Sequence, residues 1–290
     1  MKRVRIASRG SMLALWQSNF IRSRLLELHS DLEVEIRVFK TRGDLFLDAP
    51  LAKIGGKGLF VKELEDAILR GEAHLAVHSL KDVPTSFAEG LILCGVTKRL
   101  DRRDAFVSER YASIDDLPVN GVVGTTSLRR KMQILAKRPD LIVRDLRGNV
   151  PGRIEKLKQG FFDAIVLAYA GLKRLELTET VKFVSPIPID TMLPSMGQGI
   201  LGLESANDQE VVNLVKPLID REAEIESGVE RSFVDALQGG CQVPIGVSAQ
   251  LLESGEVHAR AVVGLPDGSE LLRDEVTGRE YEKLGVELAN

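Results

Sequence analysis

The sequence predicts an α/β protein in three parts, residues 1–98 with 199–217, residues 103–193, and residues 221–290. Three observations predict it. Apolar segments of strand length alternate with amphipathic helical segments through the first two parts, the pattern of a parallel or mixed sheet covered by helices on both faces. The pattern restarts after the charged stretch 98–104, and the proline-bearing stretch 186–194 reads as a second crossing, after which residues 199–203 return to the first part as a strand. Two crossings between two such units make a hinged cleft. From about residue 221 a helix followed by strand patterns opens a small α+β region.

Each element has its own signal. Residues 4–8 read as a strand, followed by a helix with Leu13, Trp16, Phe20, Ile21, Leu25 and Leu28 on one face. Leu32, Val34, Ile36 and Val38 then alternate with Glu33, Glu35 and Arg37, the period of a half-buried strand. Phe60, Leu64, Ala67 and Ile68 mark a second helix, closed by Gly71, and residues 75–77 form a short buried strand. In the second part, residues 121–124 are a strand running into a helix from Leu128, residues 141–143 are another, and Pro151 opens a helix carrying Ile154 and Leu157. Residues 164–168 are a fully apolar strand. In the third part the stripe Ile225, Val229, Phe233, Ala236 and Leu237 belongs to a helix stopped at Gly239, and strand patterns follow at 247–251 and 257–263.

Composition sets limits on function. The chain has 290 residues, 44% hydrophobic and 28% charged, with a net charge of -3, which is ordinary for a globular protein and lacks the broad basic excess of a nucleic-acid surface. Its N-terminus enters a strand pattern at once, so no signal peptide is expected, and no apolar run reaches the length of a membrane span. Cys94 and Cys241 lie in unlike contexts, which fits a reducing compartment better than a disulfide framework. His29, His74, His78 and His258 show no metal-ligand spacing with either cysteine.

Several short motifs fall where strands end. Ser79, Lys81 and Asp82 follow the buried strand at 75–77, at the carboxyl end of a sheet strand where α/β proteins place ligands. Arg9 and Ser11 stand between the first strand and its helix, where backbone amides and an arginine make an anion site. Lys53 and Lys57 sit in a glycine loop that lacks the Gly-Lys-Ser/Thr ending of a nucleotide-binding loop. In the second part Thr125, Ser127, Arg129 and Arg130 occupy one strand-to-helix junction, and Arg147 and Arg153 the next. Hydroxyls and arginines at successive helix starts suit a ligand with several carboxylates, since arginine binds carboxylate bidentately. Cys241 sits on the turn Gly239-Gly240 before Pro244, which taken alone reads as a small buried cysteine between helix and strand. Together with the arginines it reads as a thiol offered to a ligand. Two rivals are weaker: a non-enzymatic cleft-type binder of a polycarboxylate has no use for the thiol region, and a cysteine acyl transferase lacks a histidine motif to activate Cys241.

Residues 6–9 and 13–17, the Gly-Gly-Lys-Gly-Leu-Phe loop, His78-Ser79-Leu80-Lys81-Asp82-Val83-Pro84, residues 124–130, Arg147-Gly148-Asn149-Val150, Gln198-Gly199 and Gly239-Gly240-Cys241 together resemble the porphobilinogen deaminase family, in order and over most of the chain. The resemblance implies that the first two parts are arranged like a type II periplasmic binding protein and that the third carries a cofactor cysteine. It implies a dipyrromethane cofactor, held by Cys241 through a thioether. On this primer four porphobilinogen molecules are condensed head to tail with loss of ammonia, and the linear tetrapyrrole is then hydrolysed off, a transferase reaction of tetrapyrrole biosynthesis. It makes Asp82 the catalytic carboxylate. It assigns Ser79, Lys81, Asp82, Thr125, Ser127, Arg129, Arg130 and Arg147 to the cofactor, and Arg9, Ser11, Lys53, Lys57, Phe60, Arg147, Arg153 and Arg174 to substrate. A cytoplasmic monomer with no metal, nucleic-acid or membrane partner is implied as well. Met12 stands where the family usually has proline or lysine.

Overall fold

Val4 and Ile6 face one way from the first strand and Ala7 the other, so apolar side chains lie on both faces, as a strand covered on both sides requires. The structure, a computed structural model, describes residues 1–41, 43, 61–239 and 243–290. It divides into two compact units, Met1–Leu100 with Ile200–Glu224 and Asp101–Gly199 with Ile225–Asn290.

In the first unit, strands β1 (Arg3–Arg9), β2 (Glu33–Phe39), β3 (Leu75–Ser79), β4 (Leu91–Val96) and β10 (Leu201–Ala206) form one sheet in the order β2-β1-β3-β10-β4. The first three are parallel, and β10 runs antiparallel to both β3 and β4. On one side Ile21 and Leu25 of α1 (Met12–Leu28) pack on Val4, Ile6, Leu75 and Val77. On the other, Leu64, Ala67 and Ile68 of α2 (Lys62–Leu69) pack on Ala7 and Ala76.

The buried face of α1 differs from the expected stripe. It runs Ala14, Gln17, Ser18, Ile21 and Leu25, while Phe20 and Leu28 are exposed, and Trp16 and Phe20 stack on each other with centroids 5.4 Å apart. The cause is polar pairing. Gln17 Nε2 donates to Ser79 Oγ at 2.8 Å and Ser18 Oγ to Ser8 Oγ at 2.8 Å, so two polar residues are accepted inside and the helix is rotated toward them. Val38, expected to face inward, is also exposed near the end of the edge strand β2.

The second unit contains β5 (Asp104–Ser108), β6 (Val122–Gly124), β7 (Ile142–Arg144), β8 (Ala164–Ala168) and β9 (Phe183–Pro186), in the order β7-β6-β8-β5-β9. Here β6, β7 and β8 are parallel, and β5 is antiparallel to β8 and β9. The two five-stranded sheets therefore share one plan: three parallel strands, then an antiparallel strand arriving from a crossing, then a last strand. Helices α3 (Leu128–Lys137), α4 (Val150–Lys158) and α5 (Tyr169–Arg174) follow β6, β7 and β8 in turn, and α6 (Gln209–Val215) belongs to the first unit.

Most of α7 (Arg221–Ala236) lies in the second unit with the antiparallel sheet β11 (Ile245–Leu251), β12 (Val257–Gly264) and β13 (Leu271–Gly278) and the final helix α8 (Tyr281–Ala289). Val229, Phe233 and Val234 share a core with Val247, Ala249, Val257, Ala259, Leu284 and Leu288. Two buried acids also anchor α7: the Glu230 carboxylate accepts from the Gly197 and Ala249 amides at 2.7 and 3.1 Å, and Glu226 accepts from Leu251 N at 3.2 Å and Arg102 Nη2 at 2.8 Å. The helix stops earlier than expected. Its last residue is Ala236, which is exposed while Val234 is buried in its place, and the left-handed residue is Gln238 at φ 50°, not Gly239. Gly239 is needed for space, because a Cβ there would stand 2.6 Å from Ile245 Cδ1.

Candidate functional site

At the carboxyl end of β1, Ser11 caps α1 and its hydroxyl accepts from Ala14 N at 3.3 Å. Met12, the departure from the family pattern, is 58% exposed and leaves that cap in place. Arg9 is half-buried beside it. At the end of β3, Ser79 accepts from Gln17, and Leu80–Asp82 form a single tight turn. Leu80 is fully buried and donates its amide to Ile200 O at 3.0 Å, and Val83 N closes the turn on Leu80 O at 3.0 Å. Fixed at both ends, the turn holds Lys81 half-buried and Asp82 exposed.

One residue before this turn, His78 Nε2 and Glu204 Oε2 are 2.8 Å apart, both almost wholly buried. Glu65 of α2 lies close by, its carboxyl pushed up by burial and by the Glu204 charge. Neither Glu204 nor Gln17 was expected at the site. Their signal was a polar residue inside an apolar element, in β10 and on the inner face of α1.

The second sheet ends in a denser cluster. After β6, Thr125 Oγ1 accepts from Ser127 N at 3.1 Å and Ser127 Oγ caps α3 by accepting from Arg130 N at 3.4 Å. Arg129 and Arg130 are buried, and both meet Asp104, the first residue of β5. Arg129 Nη1 donates to Asp104 Oδ2 at 2.6 Å and to Leu193 O at 2.7 Å. Arg130 uses Nε and Nη2 on Asp104 Oδ1, at 3.1 and 2.7 Å, and Nη1 on Val166 O at 3.0 Å. Gln198 Nε2 adds a further bond to Asp104 Oδ1 at 3.0 Å. Burial opposes the Asp104 charge, but the two guanidiniums overcome it and hold the carboxyl well below its ordinary range. Burial also lowers Arg129, offset by Asp104. Two buried cations on one buried anion leave positive charge at the strand ends, a setting that favours a further carboxylate.

After β7, Gly148 at φ 114° turns the loop carrying Arg147, and Asn149 caps α4 by accepting from Gly152 N at 2.9 Å. Arg153 Nε donates to Gly148 O at 2.7 Å. After β8, Arg174 closes α5, donates to Gly199 O at 2.8 Å, and is lowered to about 10 by burial. Thr125, Ser127, Arg129, Arg130, Arg147, Arg153 and Arg174 thus all follow parallel strands of one sheet. Lys53, Lys57, Phe60 and Cys241 lie outside the described residues. Cys94, in contrast, is buried in β4 with its thiol donating to Leu203 O at 3.2 Å, and burial pushes it up to about 11. Among the described residues no group of three or more His, Cys, Asp or Glu side chains is placed to hold a metal, and no helix is long and apolar enough to cross a membrane.

Sheets whose parallel strands end in capped helices, hydroxyls and guanidiniums define a class of α/β protein fitted to a ligand bearing several carboxylates. Residues 4–213 match the family model described as porphobilinogen deaminase, dipyromethane cofactor binding domain, and residues 225–290 the one described as porphobilinogen deaminase, C-terminal domain. The porphobilinogen deaminase of Sulfurimonas denitrificans is 58% identical, across 100% of this chain and 93% of its own, and that of a Nitratiruptor species is 60% identical, across 98% and 91%. The chain belongs to the porphobilinogen deaminase family, and it is a transferase with dipyrromethane as its cofactor. Among solved structures, a nutrient binding protein from Burkholderia cenocepacia bound to methionine matches with a TM-score of 0.47 and 13% identity, over 76% of this chain and 93% of that chain.

Proposed function

We propose that the protein joins four porphobilinogen molecules head to tail, releases ammonia at each joining, and hydrolyses the linear tetrapyrrole from a dipyrromethane primer carried on Cys241. When bound, the dipyrromethane supplies the pyrrole carbon from which the chain is extended. Every substrate unit carries carboxylates, and the observation behind the residue roles is the run of hydroxyls and guanidiniums after β6, β7 and β8. Thr125, Ser127, Arg129, Arg130 and Arg147, with Ser79, Lys81 and Asp82, hold the cofactor. Arg9, Ser11, Lys53, Lys57, Phe60, Arg147, Arg153 and Arg174 hold substrate. Asp82 is the catalytic carboxylate, held in a rigid turn so that its charge stabilises the positive charge that develops on the pyrrole as ammonia leaves. The same carboxylate takes or returns a proton there. Residues 221–290 form the attachment domain, and the protein works as a cytoplasmic monomer without metal, nucleic-acid or membrane partner.

An intact mass tests the attachment. The denatured full-length protein is expected to exceed its sequence mass by two pyrrole units, and Cys241→Ser to remove the increment, since Cys94 is buried with a weakly acidic thiol and is no substitute nucleophile. An unmodified protein that turns over normally overturns the reading.

A further inference from the structure

We infer that Asp104 is a positioning residue for cofactor loading, holding Arg129 so that the Nε–Nη2 edge of its guanidinium faces an incoming carboxylate. The inference rests on the proposed role of Arg129 and Arg130 in binding the cofactor. Both arginines are buried, yet their bonds divide unequally. Arg130 turns its own Nε–Nη2 edge onto Asp104 Oδ1 and its Nη1 onto Val166 O. Arg129 reaches Asp104 Oδ2 and Leu193 O with Nη1 alone, which leaves the opposite edge, the geometry that binds carboxylate with two parallel hydrogen bonds. Asp104 is itself fixed, by Gln198 Nε2 and by its place at the start of β5, where it pairs with Ala168.

Two effects compete when the Asp104 charge is removed. The site gains positive charge, which draws an anion more strongly. It also loses the acceptor that orients both guanidiniums, and an amide nitrogen in place of either oxygen turns a donor toward donors. A misdirected hydrogen bond to a charged group costs about 1.5–3 kcal/mol, roughly tenfold to a hundredfold in affinity. The added charge acts on an arginine no longer aimed, so the loss of orientation decides.

The unloaded full-length chain is titrated with porphobilinogen and the loaded fraction is read from intact mass, with the melting midpoint of each variant as a fold control. For Asp104→Asn the half-saturating concentration is expected to rise about tenfold or more, while the extent of loading at saturation stays that of wild type. A merely structural role lowers the melting midpoint and the folded yield without moving half-saturation. Should Asp104→Asn fail to fold, Asp104→Glu keeps the charge, displaces it by one methylene, and is expected to raise half-saturation in the same direction. Any folded Asp104 variant that loads at the wild-type concentration or below overturns the inference. Arg129→Leu separates the two layers: if it loses loading while Asp104→Asn does not, only the positioning role falls. If both load like wild type, the cofactor role of Arg129 falls as well.

Discussion

Asp82 is exposed between the buried Leu80 and Val83, so its side chain is open to change without touching the core. Asp82→Asn keeps the shape and removes the charge. It is expected to melt like wild type and to lose turnover on the order of 100-fold or more, the usual cost of a dominant electrostatic group. Near wild-type turnover in steady-state assays would assign the role elsewhere. The positions of Asp82, Thr125 and Ser127 were legible in the sequence because each lies within three residues of the carboxyl end of a strand, where α/β sheets place their ligand-facing loops. Asp104 was not. It ends a charged stretch that reads as a spacer, and its partners are Arg129 and Arg130 on a later helix and Gln198 on the other crossing. Only the folded chain brings them together.

At the scale of elements, the strongest periodic signals gave the core helices and the apolar strands β3 and β8, whereas β4, β5, β9 and β13 went unread. The sequence Asp-Ala-Phe-Val-Ser of β5 is buried throughout and so lacks alternation, and it begins with an acid whose charge is satisfied only by tertiary partners. The strand β13 is mostly exposed at a sheet edge and carries little apolar signal. Helix α8 depends on one close approach. A Cβ at Gly285 would strike Ser232 Oγ and the backbone of Val229 and Phe233 in α7. In Gly285→Ala the gain in helix propensity, at most about 1 kcal/mol, is outweighed by overpacking worth about 1–3 kcal/mol against rigid backbone. The urea midpoint is expected to fall, and an unchanged or higher midpoint would mean that the two helices separate freely.

For the molecule as a whole, acid is the condition that exposes the Asp104 cluster. Its folded pKa lies below its unfolded value, so the unfolded chain takes up the proton first and stability is lost as pH falls below about 4. Melting midpoints measured from pH 5 to pH 3 are expected to drop more steeply for wild type than for Asp104→Asn, which has no such proton to bind. Parallel curves would show that other carboxylates carry the acid response.

The two five-stranded sheets share a plan but differ in when their strands leave the ribosome. Residues 104–186 supply every strand of the second sheet, whereas the first sheet lacks β10, the strand between β3 and β4, until residues 201–206 have been made. A ribosome that has released residue 199 has released all of the second sheet and a first sheet with an unfilled gap. During synthesis the second sheet therefore has all of its strands before the first does, and the amino-terminal third of the chain lacks the strand between β3 and β4 until residues 201–206 are made.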